Sequence, residues 1–243
     1  MITFIKNEFI KIKSEKFLIV ILILMLIPFG MNFANFAIND RNLSLSDGFY
    51  FRFYNQYFML LPIISCIIAS SVYYIEYKNN TFTNWFSYST NINLLFFSKG
   101  IVALLLSLFY TIINLMIILV FYIFNGADIF ELIAITSSFL TVNLMIILLV
   151  NFLSIAIINL TKNIIVSIVS GIIISMISMI FLAAPFSYII PTTFSYRLGL
   201  LFINSNLYYP NVMFTIMIGS LVFIILFLIL LAMSYKSFTH KKI

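Results

Sequence analysis

The sequence predicts an all-α membrane protein with six transmembrane helices, on three observations. First, six stretches contain no Asp, Glu, Lys or Arg: residues 17–39, 53–75, 100–127, 132–161, 163–196 and 198–235. Each can cross a hydrocarbon core of roughly 30 Å, which takes about 20 apolar helical residues. Lipid tolerates only helices or closed barrels, and these stretches lack the alternation of barrel strands. Second, 63% of the residues are hydrophobic and only 8% are charged, against about 25% charged in ordinary soluble domains. In water such a chain would expose apolar surface it could not cover. Third, the bases are segregated. Lys6, Lys11, Lys13, Lys16, Lys78, Lys99, Lys162, Lys236, Lys241 and Lys242 share one side of a six-span chain, and Arg41, Arg52 and Arg197 share the other. The positive-inside rule then places both termini in the cytoplasm of a cell-membrane protein. The net charge of +6 is accounted for by this asymmetry and does not point to nucleic acid.

In chain order, residues 1–16 set Ile2, Ile5, Phe9 and Ile12 on one helical face, as in a helix lying on the lipid interface. The alternative is a basic tail that only sets orientation. The first span covers about 17–37, with a kink expected at Pro28. It is too long for a signal peptide and lacks a small-residue cleavage site after it. The other spans fall at about 55–75, 100–124, 131–159, 164–184 and 212–233. Residues 38–54 form an outer loop, and 76–98 a polar cytoplasmic segment. The run Asn125-Gly126-Ala127-Asp128 is a tight turn. The fourth span exceeds the membrane thickness, so it must tilt or protrude. Residues 185–211, with Pro185, Pro191 and Pro210, are too broken to span and read as an outer segment of short helices. The whole chain, 1–243, is a single membrane domain.

Several chemistries are missing. There is no G-x-x-x-x-G-K-[ST] phosphate loop. His240 is the one histidine and lies in the C-terminal tail, and Cys66 is the one cysteine. Neither a metalloprotease nor a serine–histidine hydrolase can be assembled from these. Glu76 and Glu131 lie at span ends and not at span centres, where proton relays would sit. No internal repeat is evident, which disfavours an ion-coupled secondary transporter.

Asn114, Asn143 and Asn151 lie within spans. They are candidates for a polar substrate path. The competing reading, favoured by residue type alone, is interhelical hydrogen bonding worth about 0.6–2 kcal/mol. In the segment after the second span, Phe82, Trp85 and Phe86 are spaced i, i+3, i+4, so a helix there carries three aromatics on one face. Such a face suits an interfacial anchor or a partner's groove equally.

The layout resembles that of ABC transporter permeases of the type-two exporter class. Their pattern has an acidic residue leaving the second span, a Gly-Thr pair, and a lysine opening the third. Glu76, Thr81 and Lys99 match it, and Asn80 stands where glycine is usual. The resemblance implies a non-catalytic subunit whose ATPase coupling runs through Glu76, Lys78, Thr81, Phe82, Trp85 and Phe86. It implies cytoplasmic ATPase subunits that carry ATP and Mg, and a second permease chain, identical or different, while this chain binds no cofactor. Membrane lipid is the remaining partner. Among such permeases, the short loops are similar to those of bacterial self-protection against lantibiotics, other bacteriocins and bacitracin. The abundance of Ile, Asn, Lys and Phe suits an AT-rich bacterial genome. The expected function is export of a hydrophobic or amphipathic compound such as an antimicrobial peptide. The competing function is an ATP-independent immunity or assembly protein.

Overall fold

The computed structural model describes residues 1–13, 15–79, 81 and 91–239. Eight α-helices form among them: α1 (Ile2–Lys13), α2 (Phe17–Ile38), α3 (Phe49–Lys78), α4 (Ile92–Phe124), α5 (Ile129–Thr161), α6 (Ile164–Phe181), α7 (Pro191–Leu201) and α8 (Val212–Thr239). Short 3-10 turns at Ser187–Ile189 and Ser205–Leu207 flank α7. Six helices, α2–α6 and α8, are long and apolar enough to cross a membrane. The all-helical, six-span class expected from the sequence is the one observed.

The helices divide into a core and a shell. In the most apolar stretch of α3 and of α5, 67% of residues are buried, against 22% for α2 and α6 and 11% for α8. α3 is central because its aromatics repeat on one face: Tyr50, Phe53, Tyr54, Tyr57 and Phe58 are all buried. A buried tyrosine needs a partner for its hydroxyl, and here each partner lies on another helix. Tyr50 donates to Ile135 O at 3.3 Å, Tyr54 to Tyr196 O at 2.8 Å and Tyr57 to Asn143 Oδ1 at 2.9 Å. Farther along, Tyr73 donates to Phe96 O at 3.1 Å and Tyr77 to Asn159 Oδ1 at 2.7 Å. These bonds fix α4, α5 and α7 around α3.

α6 docks differently. Its fully buried residues are Ser167, Gly171, Ser175 and Ser178, so small side chains let the backbones approach closely. A Cβ on Gly171 would meet Cys66 Sγ and Pro62 O of α3, both at 3.0 Å.

Several helices outrun the spans read from charge. α3 starts at Phe49, inside the expected outer loop, and α4 starts at Ile92, inside the expected cytoplasmic segment. A charge ends a membrane span but need not end a helix. Arg52 stays helical because it pairs with Asp40 at 2.6 Å and bonds Gly48 O at 3.3 Å. That contact holds the Asp40 carboxyl below its usual pKa. Asn91 caps α4, its side chain accepting from the backbone N–H groups of Asn93 and Leu94. α2 is continuous through Pro28, and Asn32 donates to Pro28 O at 2.7 Å and to Gln56 Oε1 of α3 at 2.8 Å. The turn before α5 carries Gly126 at φ 79° and an Asp128–Glu131 capping box.

Residues 185–211 fold into short helices, as their broken polarity suggests. α7 is not a surface ornament: Thr193, Phe194, Ser195 and Tyr196 are buried. Arg197 braces the segment, donating to Leu182 O at 2.9 Å and Leu207 O at 3.2 Å, with its guanidinium 4.9 Å from the Tyr209 ring centre.

Candidate functional site

Four elements converge at the bundle end that carries both termini. α1 packs on α4, the end of α3 lies beside the start of α4, and the end of α8 closes over them. Phe238 of α8 meets Tyr73 at 5.7 Å and Phe96 at 5.6 Å between ring centres. Tyr235 donates to Asn93 Oδ1 at 2.8 Å.

Inside this junction is a ring of four charges. Glu8 and Glu76 are each 2% exposed, and Lys99 is 1% exposed. Glu8 Oε2 lies 2.5 Å from Lys99 Nζ, and Glu8 Oε1 lies 2.8 Å from Lys11 Nζ. Glu76 Oε1 accepts from Lys11 at 2.6 Å and from Lys99 at 3.2 Å. Lys99 also donates to Val72 O at 3.4 Å. Among the described residues two acids and two bases balance, and buried charge is tolerated when it is paired in this way. The other Glu76 oxygen accepts from the Thr81 hydroxyl. Burial disfavours the Lys11 ammonium, but its bonds to Glu76 and Glu8 outweigh that and raise its pKa above 10.5. The Lys11 contribution is therefore complete at neutral pH and is lost only as pH rises through that elevated value.

Of the candidate coupling residues, Glu76 is buried in this ring, Thr81 is bonded to it, and Lys78 is exposed at the end of α3. Phe82, Trp85 and Phe86 lie outside the described residues. Lys99, counted above among the bases of the cytoplasmic side, is enclosed: it reaches between two carboxylates. Sequence reading overlooked Glu8 and Lys11. The available signal was Glu8 itself, the sole acid of α1, set between Ile5 and Ile12 on the face expected to be apolar.

Asn114, Asn143 and Asn151 are all buried and all bonded between helices. Asn143 Oδ1 accepts from Tyr57 at 2.9 Å and from Thr111 at 3.2 Å. Asn151 Nδ2 donates to Ser107 Oγ at 3.2 Å, and Asn114 Nδ2 to Met25 O at 3.3 Å. Among the described residues, Asn114 Oδ1 and Asn151 Oδ1 have no hydrogen-bond partner. Two open, apolar grooves lie on the helix bundle: one is lined by Phe29, Met116, Ile117, Val120 and Phe121, the other by residues of α4 and α5 including Leu119, Ile123 and Ile133.

The family described as ABC-2 family transporter protein matches residues 4–181. The match runs from α1 to the end of α6 and so includes the whole charge ring. No curated protein and no solved structure matches the chain. Members of this family are generally non-catalytic membrane subunits, and the family implies an ATPase subunit as partner. With six apolar helices and a match over most of its length, the chain is a multi-pass membrane permease that belongs to the ABC-2 family of transporter proteins.

Proposed function

We propose that this chain is the membrane half of an ATP-driven exporter of hydrophobic or amphipathic compounds, acting in immunity to an antimicrobial peptide such as a lantibiotic or other bacteriocin. The observation that carries the reading is the charge ring at the root of segment 79–91. It binds both flanks of that segment, through Glu76 and Lys99, into one unit with α1. A push on the segment would then reach α3, the central helix of the bundle. In this reading the terminal end faces the cytoplasm, where the lysine excess belongs. ATP and Mg are bound by a partner ATPase, which is engaged by Lys78, Thr81, Phe82, Trp85 and Phe86. A second permease chain completes the pore. The open, apolar lining of the two grooves supports capture of cargo from the membrane, with Asn114, Asn143 and Asn151 as polar points that become a path when the helices part.

The test is to isolate the tagged chain from its native membrane in mild detergent and identify its partners by mass spectrometry. An ATPase is expected to co-purify. Trp85→Ala is expected to leave membrane insertion intact and to lower ATP turnover of the complex several-fold, about 1 kcal/mol in activation free energy. Recovery of the chain alone, under conditions that preserve a known transporter complex, would defeat the reading in favour of an ATP-independent immunity protein.

A further inference from the structure

We propose that Glu8 is a positioning residue for the ATPase-facing segment, acting through Lys99 on Glu76; the proposal rests on the exporter reading above. A helix that merely lay on lipid would have no reason to bury its sole acid. Yet in α1 the fully buried residues are Glu8 and Ile12, and a buried carboxylate is costly unless paired.

Both lysines bridge Glu8 and Glu76. The shorter of the two carboxylate contacts of Lys99 is to Glu8, at 2.5 Å, and the longer is to Glu76, at 3.2 Å. Lys11 holds Glu8 at 2.8 Å and Glu76 at 2.6 Å. Glu8 therefore anchors both lysines that orient the Glu76 carboxylate. Glu76 in turn receives the Thr81 hydroxyl, three residues from the backbone exit of α3 at Lys78. The seat of α1 thus reaches segment 79–91 through side chains alone, with no backbone continuity.

Charge balance makes the chain of action separable. Counted among the described residues, Glu8→Gln leaves two bases facing one acid. Lys99→Met leaves two acids facing one base. The two substitutions together leave the Lys11–Glu76 pair, which is neutral. Each single change therefore displaces Glu76, and the double change returns it.

Two readouts decide the matter in the full-length chain isolated with its co-purifying ATPase. The first is permease-dependent ATP turnover. The second is maleimide labelling of Ile12→Cys in a Cys66→Ser background, read on this chain's own band, where no other thiol remains in the chain. Glu8→Gln is expected to lower kcat about tenfold with KM for ATP unchanged, because the nucleotide lies on another chain. It is expected to speed labelling at position 12 about tenfold as α1 loosens. Glu8→Gln with Lys99→Met is expected to recover most of both, and Glu8→Asp, which keeps the charge, to stay within about twofold of the parent. Unchanged turnover and labelling in Glu8→Gln would overturn the proposal. So would a double variant no better than the poorer single one. If Glu8→Gln does not assemble, the charge-balanced double variant and Glu8→Asp still decide. If no ATPase co-purifies, the exporter reading fails, while labelling still reports whether Glu8 holds α1.

Discussion

Glu76→Leu is expected to abolish accumulation of folded protein in the membrane. Glu76 accepts from Lys11 at 2.6 Å, from Lys99 at 3.2 Å and from Thr81. Leucine would fill the space but take one of its two carboxylate partners from Lys99, which is 1% exposed, and remove the 2.6 Å contact of Lys11. Removing one partner of a buried ion pair costs about 3–5 kcal/mol, because the charge left behind is uncompensated. That is a large share of the roughly 5–15 kcal/mol by which domains are stable. Glu76→Gln keeps the shape and two hydrogen-bonding groups, so it should lie between leucine and the parent. The measurement is the monodisperse yield and thermal midpoint of fluorescently tagged protein in detergent. A Glu76→Leu chain that melts with the parent would show that the ring is not what holds this end together.

Gly199→Val should be nearly as damaging, for a steric reason. A Cβ at Gly199 would sit 2.1 Å from the Tyr54 hydroxyl oxygen and 2.9 Å from the Ser138 carbonyl oxygen. Tyr54 cannot simply swing away, because its hydroxyl donates to Tyr196 O at 2.8 Å. Overpacking costs about 1–3 kcal/mol, and a buried hydrogen bond lost with it about 1–3 kcal/mol more. Gly219 faces a different obstacle, the Phe194 ring at 2.4 Å. Gly30 has nothing within 4 Å, so Gly30→Val is the control for helix propensity alone. Thermal melting of Gly199→Val beside Gly30→Val separates the two effects, and equal midpoints would show that α7 does not need its close approach to α3.

The number and order of the apolar helices were readable because a bilayer demands length and apolarity from each span, and both are properties of contiguous sequence. What sets α3 and α5 at the centre was not readable in that way. All six spans are apolar, so hydropathy does not rank them; burial follows the polar groups that need partners, such as the α3 tyrosines and Asn143. The charge ring was half readable. Glu76 and Lys99 stood out by their place at the ends of two spans. Glu8 and Lys11 did not, since their partners on α3 and α4 lie more than sixty residues away and a short basic helix reads the same whether it rests on lipid or on protein. The aromatic spacing at Phe82, Trp85 and Phe86 falls outside the described residues and keeps its two meanings.

The small-residue docking face of α6 has a consequence for how that helix is held in register. Ser167, Gly171 and Ser175 recur every four residues, close to one helical turn. A slip of one turn would bring Ser167 or Ser175 to the place of Gly171, where a Cβ meets Cys66 Sγ and Pro62 O at 3.0 Å, so the glycine itself sets the register along α3. Hydroxyls add to it. Ser167 meets Ser154 of α5 at 2.7 Å, Ser175 donates to Met59 O at 2.6 Å, and Ser178 meets Thr192 at 2.5 Å. α6 is thus keyed to α3 at one glycine and latched by single hydroxyl bonds to three different helices, α5, α3 and α7.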